Sequence, residues 1–365
     1  MLRKYVDKKA RFVSMFDDKT GFYARTGVID KNGKDTGVDP FMASYPQLID
    51  IGVMGHCIHG KSGLCMKSGV ECYQNGLGVC EPNMSLENFK KIIDEGSTKG
   101  MFSVALGGRG DVDQHENFEE LLSYCREKGV VPNFTSSGLG FTPEIVDICK
   151  KYCGAVAISW YRSDYTTKAI EMLVNAGITT NIHYVLGNNS IDEAIERLKN
   201  NSFPKGINAV IFLLHKPVGL GKENNVLKMN DPKVKEFFTL VDNVNKDDLV
   251  DFQIGFDSCS IPGIVNFTKN IDENSIDTCE GGRYSMYITA NMIALPCSFD
   301  NQEERWGFDI SNTSIQEAWD SEQFNSFRNH FRNSCSKCEK RRVCMGGCPI
   351  RRQIVLCDKE EKELL

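Results

Sequence analysis

No apolar run in the sequence approaches the roughly 18 residues that a membrane-spanning helix needs. The N-terminal stretch MLRKYVDKKARFVSMF carries basic residues but lacks the apolar core of a secretory signal. A basic excess is also missing: 43 Lys and Arg stand against 49 Asp and Glu, for a net charge of −6. That balance excludes a broad nucleic-acid-binding face. These absences point to a cytoplasmic protein with no membrane or nucleic-acid partner. No GxGxxG follows the first strand-like segment, so the dinucleotide-binding fingerprint is absent too. What remains is ordinary globular usage, 41% hydrophobic and 25% charged, enough for one large domain with or without a smaller one.

Cysteine is the exception. Fifteen is an odd number and a high one for a reducing compartment. Disulfides require an oxidising compartment, whereas clustered thiols in a reducing one hold metal. Cys125 in LLSYCREKG, and Cys149 and Cys153 in DICKKYCG, fall on helix-like segments and read as plain thiols. The others form two groups. CIHGKSGLCMKSGVEC places Cys57, Cys65 and Cys72 in one loop, with Cys80 further along. CSKCEKRRVCMGGCP spaces Cys335, Cys338, Cys344 and Cys348 by two, five and three residues, and Cys357 follows. Cys279 and Cys297 lie upstream of that run, and Cys259 stands in GFDSCSIPG. A structural zinc site uses four ligands. Seven or eight thiolates suit two metal sites, and the C-x3-C-P ending is like ferredoxin-type cluster ligation. Zinc is the alternative.

Turn signals DDKTG, DKNGKDTG and VDP separate short strand-like pieces in residues 1–46, which predicts a hairpin arm. A rhythm then begins. QLIDIGVMG, MFSVALGG, VVPNFTS, AVAISWY, ITTNIHYVLG and INAVIFLLH read as buried strands, and amphipathic helical segments separate them. Strand–helix alternation predicts a parallel sheet, here a partial (β/α)6 barrel of the TIM type over residues 47–250. Function then belongs at the C-terminal ends of the strands. Residues 251–365 turn Cys-, Gly- and turn-rich and read as a small second domain.

A three-cysteine loop directly after the first barrel strand, followed by this C-terminal cysteine pattern, resembles the radical S-adenosylmethionine (SAM) enzymes with a SPASM extension. The resemblance spans nearly the whole chain from about residue 47. It implies three [4Fe–4S] clusters and SAM as cofactors. At the first cluster, three thiolates leave one iron open for SAM. Its reductive cleavage yields a 5′-deoxyadenosyl radical that removes a hydrogen atom from substrate. Tyr73, after the third cysteine in CYQNG, is placed near the adenine. Gly107 and Gly108 of LGGRGD, with Asp111 beyond them, are placed at the methionine amino group. Ser136, Ser137, Ser159, Asn181 and His183 occupy strand positions from which the family contacts ribose and carboxylate; each also reads as an ordinary polar residue.

The loop departs from the family spacing of three residues and then two: here it is seven and then six. Assigning Cys57, Cys65 and Cys72 rests on Tyr73 marking the third ligand; the rival set is Cys65, Cys72 and Cys80. The inserted His59, Lys61 and Lys67 are solvated or substrate-facing. By the same resemblance Cys335, Cys338, Cys344 and Cys357 hold a distal auxiliary cluster, and Cys279, Cys297 and Cys348 a nearer one. Cys259 is the candidate fourth ligand, the other outcomes being an iron left open to substrate or a free catalytic thiol at Cys259, and Asp257 or Asp111 is the candidate base. The glycine that the family places five residues before the second SPASM cysteine is Met292 here. The implied activity is maturation of a ribosomally made peptide by a crosslink, thioether or related modification. A sulfatase-maturing, formylglycine-forming enzyme is the alternative, and an electron carrier or zinc-stapled binding protein the alternative of another class. The implied partners are a peptide or protein substrate and an electron donor such as flavodoxin or ferredoxin; the peptide is gripped either by the N-terminal arm or by a separate leader-binding protein.

Overall fold

Seven strands read in chain order form one parallel sheet in the computed structural model, which describes every residue except 70, 248, 301–302, 333–334, 336–337 and 358–365. An N-terminal antiparallel sheet comes first, with β1 (Leu2–Asp7), β2 (Phe12–Asp17) and β3 (Tyr23–Arg25). The barrel strands are β4 (Leu48–Met54), β5 (Ser103–Gly108), β6 (Val131–Ser136), β7 (Val156–Ser159), β8 (Thr180–Leu186), β9 (Ala209–Leu214) and β10 (Gln253–Phe256). Each pairs in parallel with the next. The alternation predicted six; β10 extends it by one. At the other edge β11 (Ser285–Ile288) pairs in parallel with β4, and β12 (Ile293–Leu295) and β13 (Phe308–Asp309) continue antiparallel. The Cys-rich segment therefore extends the barrel sheet from both edges. No helix among the described residues is long and apolar enough to cross a membrane.

The connecting helices start where the sequence supplies caps. Ser85, Thr142 and Ser163 accept hydrogen bonds from the backbone N–H groups of Asn88, Ile145 and Thr166, opening Leu86–Thr98, Pro143–Tyr152 and Asp164–Asn175. Their apolar faces, such as Phe89, Ile92 and Ile93, are buried in the main core. Strand β8 shows the two-residue period that builds the barrel. Thr180, Ile182, Tyr184 and Leu186 are buried, while Asn181 and His183 line a cavity inside it. Cys125 and Cys149 are fully buried in the core, as plain thiols should be.

The N-terminal sheet closes the barrel at the starts of its strands. Arg3 donates to the carbonyls of Phe102 and Gly129, and Phe16 stacks on Phe102 at 5.4 Å. The Tyr23 hydroxyl donates to Gln47, whose amide donates to Ser14 at 2.7 Å. The opposite end of the barrel, where β4 runs into the first cysteine loop, is free of this plug.

Candidate functional site

The cysteine loop lies across the C-terminal mouth of the barrel, held by residues from several strand ends. Arg162, after β7, donates to the Ser68 carbonyl at 3.3 Å, and Asn189, after β8, to that of Gly69 at 3.1 Å. Beyond β9, the Leu220 N–H reaches the Cys72 carbonyl at 2.9 Å and the Lys222 N–H reaches Glu71 at 2.8 Å. Gly110 passes the loop so closely that a Cβ there would lie 2.6 Å from the His56 carbonyl oxygen. Gly108 takes φ +118°, open to glycine and costly for other residues.

Cys57, Cys65 and Cys72 converge in this loop. A Cβ on Gly76 would lie 3.0 Å from Cys57 Cβ and 3.6 Å from Cys72 Sγ, and the Gly76 N–H donates to that sulfur at 3.4 Å. Burial pushes the Cys57 and Cys65 thiols up; Asp111 and Cys72 add to the rise of both, and Cys65 to that of Cys57. Cys80 is exposed where the other three are partly buried, and its backbone is bridged to His56. The geometry therefore favours the first of the two candidate sets. Asp111 binds the Ser137 N–H at 2.8 Å and its hydroxyl at 2.5 Å, and faces His59 Nε2 at 3.2 Å. That contact raises the imidazole above its ordinary value and ties the widened loop to the ends of β5 and β6. Ser136 is buried and accepts from the Gly138 N–H. Around Gly107 there is open space, with nothing within 4 Å of where a Cβ would point. Lys67 is exposed, and the Lys61 side chain lies outside the described residues.

A second group of thiols lines a cavity of about 600 Å³ beside the mouth, where Cys259, Cys279 and Cys297 meet. Cys348 joins them through a hydrogen bond with Cys259. Burial pushes Cys279 up to about 12, and Cys259 and Cys297 rise as well. Buried thiols that repel one another's ionised forms call for a positive centre between them. A third group, Cys335, Cys338, Cys344 and Cys357, lines a separate cavity of about 510 Å³. Burial pushes Cys344 up to about 11, with Cys357 and Cys335 adding to it. Among the described residues no three His, Cys, Asp or Glu side chains meet closely enough to hold a single metal ion. All three groups fit iron–sulfur clusters in donor chemistry: thiols only, three in one group and four in each of the others.

The first and second groups are joined by aromatic contacts. The Tyr73 ring lies 4.7 Å from Phe299, and the buried ammonium of Lys216 sits 4.1 Å over the Phe299 ring. Lys216 Nζ donates to Asp257 at 2.5 Å and to the Leu214 carbonyl at 2.7 Å. Burial alone would lower this lysine; Asp257, Cys259 and Cys297 more than reverse it, so it stays charged.

Two expected site residues are placed differently. Asn181 is near the start of β8, its Oδ1 accepting from Asn208 at 2.9 Å, in a cavity of about 460 Å³ closed by the N-terminal sheet. It is thus at the far end of the barrel from the cysteine loop. Asp257, a candidate base, is committed to Lys216, to the Leu214 N–H at 3.2 Å and to Ser260 at 3.0 Å, with no lone carboxylate oxygen left over. Asp111 is likewise engaged. Sequence reading also missed residues. Tyr161, beyond β7, bonds to Ser159 and is raised well above its ordinary value by burial, with Asp111, Cys65 and Cys72 nearby. Lys216 and Asp50 are the others, and both had a signal: a charge directly after, or in the middle of, an apolar strand.

The C-terminal segment has a family match. Residues 279–339 match the SPASM family, an iron–sulfur cluster-binding domain. No curated protein matches the sequence. Among solved structures, SuiB of Streptococcus suis bound to the precursor peptide SuiA is similar at TM-score 0.66 and 16% identity, over 90% of this chain and 83% of that one. The same protein bound to S-adenosylmethionine gives 0.63 and 16%, over 84% and 74%. Native anSMEcpe with bound AdoMet and the Cp18Cys peptide gives 0.62 and 16%, over 86% and 91%. At these identities the likeness establishes the fold: a partial barrel followed by a small Cys-rich SPASM domain.

Proposed function

We propose that this chain is a radical SAM enzyme that modifies a ribosomally made peptide. The observation that carries the reading is the placement of thiols. Cys57, Cys65 and Cys72 lie at the barrel mouth, and Cys259, Cys279, Cys297 and Cys348 lie just beyond the Tyr73–Phe299 pair. In this reading the first trio holds the SAM-binding cluster, the second group the nearer auxiliary cluster, and Cys335, Cys338, Cys344 and Cys357 the distal one. When bound, these groups supply one-electron chemistry and a radical able to take hydrogen from an unactivated C–H bond.

The chain's own residues position and shield. The open space at Gly107 would admit the SAM methionine, and Tyr73, Ser136, Ser137, Ser159 and Tyr161 would border the rest of the cofactor. Asp111 holds the widened loop rather than acting as a base. Cys259 is a ligand rather than a catalytic thiol, because its sulfur meets Cys348. The solved relatives carrying SuiA and Cp18Cys support a peptide as substrate. Formylglycine formation is the less favoured reading, since the carboxylates named for it, Asp257 and Asp111, are both engaged. A cytoplasmic setting, with a flavodoxin or ferredoxin as electron donor, suits thiol-bound clusters.

SAM cleavage under anaerobic conditions with reductant tests this. Wild type and Cys80→Ala are expected to release 5′-deoxyadenosine, and the combined Cys57→Ala, Cys65→Ala and Cys72→Ala variant none. Wild-type protein with full cluster content but no cleavage would overturn the function. Loss of cleavage in Cys80→Ala with activity in Cys57→Ala would overturn the ligand set.

A further inference from the structure

Asp50 interrupts the apolar strand β4. Its neighbours Ile49, Ile51 and Val53 are fully buried in the core, while Asp50 lines the 600 Å³ cavity shared with Cys259, Cys279 and Cys297. The other charged groups of that cavity have partners. Asp257 pairs with Lys216 at 2.5 Å. Asp277 and Glu280 share Arg25, at 2.5 and 3.1 Å. Among the described residues the Asp50 side chain makes no hydrogen bond or ion pair. Burial, with Glu280 nearby, pushes its carboxyl up to about 7. A half-buried carboxylate without a partner is costly and is retained where something else supplies the charge.

The surroundings say what that charge is. Four carboxylates, Asp50, Asp257, Asp277 and Glu280, face two cations, Lys216 and Arg25, so the cavity is short of positive charge. Aromatic rings stand close by. Tyr287 is opposite Asp50 in the sheet register, with its hydroxyl packed on Gly52, and Phe299 lines the same cavity. The Asp50 carboxylate is also close enough to Tyr73 to act on its hydroxyl electrostatically. A carboxylate beside aromatic side chains is a receptor for an ammonium or guanidinium group.

Resting on the function proposed above, we infer that Asp50 is the specificity residue for the substrate, binding a Lys or Arg side chain of the peptide, next to the site of modification, in the part of this cavity that the thiols and the cluster they would hold leave open. The cation replaces the missing partner of Asp50 and brings its own chain segment between the Tyr73–Phe299 pair and the second thiol group.

Affinity selection tests this without turnover. Anaerobically reconstituted protein, with SAM but no reductant, is incubated with a randomised short-peptide library, and the retained peptides are sequenced. Wild type is expected to enrich Lys and Arg at one position about tenfold over neutral residues, the scale of a single well-placed charge pair. Asp50→Glu should keep the enrichment, Asp50→Asn should abolish it, and Asp50→Lys should turn it toward Asp and Glu. Iron content shows whether each variant has folded. No positional enrichment in wild type would overturn the proposal. So would an enrichment unchanged in Asp50→Asn, which would reflect only the chain's net charge of −6. The two readings fail separately. Charge-selective retention without SAM cleavage would sink the function and leave the site, whereas SAM cleavage with charge-blind retention would sink the site alone.

Discussion

The two auxiliary thiol cavities are alike in size, about 600 and 510 Å³, and opposite in setting. The nearer one is built into the barrel, between β10 and the β11–β12 hairpin, and its lining includes Asp50, Asp257, Asp277 and Glu280. The distal one is formed by the C-terminal loops, with Lys340, Arg341 and Arg352 against the single acid Glu339. The nearer cavity contains Cys279, almost fully buried, while all four distal cysteines are partly exposed. The same donor chemistry is therefore set in linings of opposite charge. On the function proposed above, the acidic cavity would suit a cationic substrate.

The contrast is broken most sharply by removing one thiol from each site. Cys279→Ala is expected to lose one cluster and all peptide product while still cleaving SAM. Cys344→Ala should also lose one cluster, yet still retain cationic peptides as wild type does. Spectroscopy of the clusters and the peptide-retention assay check both, and loss of retention in Cys344→Ala would erase the distinction. A smaller effect separates the two sites by stability. Lys216→Met strands the buried Asp257 and should cost about 3–5 kcal/mol in denaturant unfolding. Adding Asp257→Asn should recover part of it. The counterpart at the distal rim, Lys340→Met, should cost under about 1 kcal/mol because that lysine is exposed. Equal losses would mean that the two settings differ less than their linings suggest.

Much of this was legible in the sequence because periodicity and spacing are local. The strand–helix rhythm predicted the parallel sheet; spacing suggested two sites for the C-terminal cysteines, and only the family resemblance divided them into the groups that line the two cavities. The misses are non-local. Strand β8 shows by its period of two that Asn181 faces inward, but height along the barrel depends on where the strand starts, and Asn181 is only its second residue. Asp257 read as an available base because its partner, Lys216, lies 41 residues earlier and meets it only through the pairing of β9 with β10. Strand β10, four residues long, is too short to display a pattern. Met292, where the resemblance places glycine, takes a left-handed φ of 63°. Its side chain is buried to 1% exposure, and that packing offsets a backbone cost of about 1–2 kcal/mol. The hairpin thus keeps the turn and still delivers Cys297 to the nearer cavity.

The central claim is that three thiol groups hold three clusters, one at the barrel mouth and two in these cavities. Iron and acid-labile sulfide per chain, measured on anaerobically reconstituted wild-type protein, test it most directly. The account predicts about twelve of each, as three [4Fe–4S] clusters require. A value near four, or tightly bound zinc in place of iron, would contradict it.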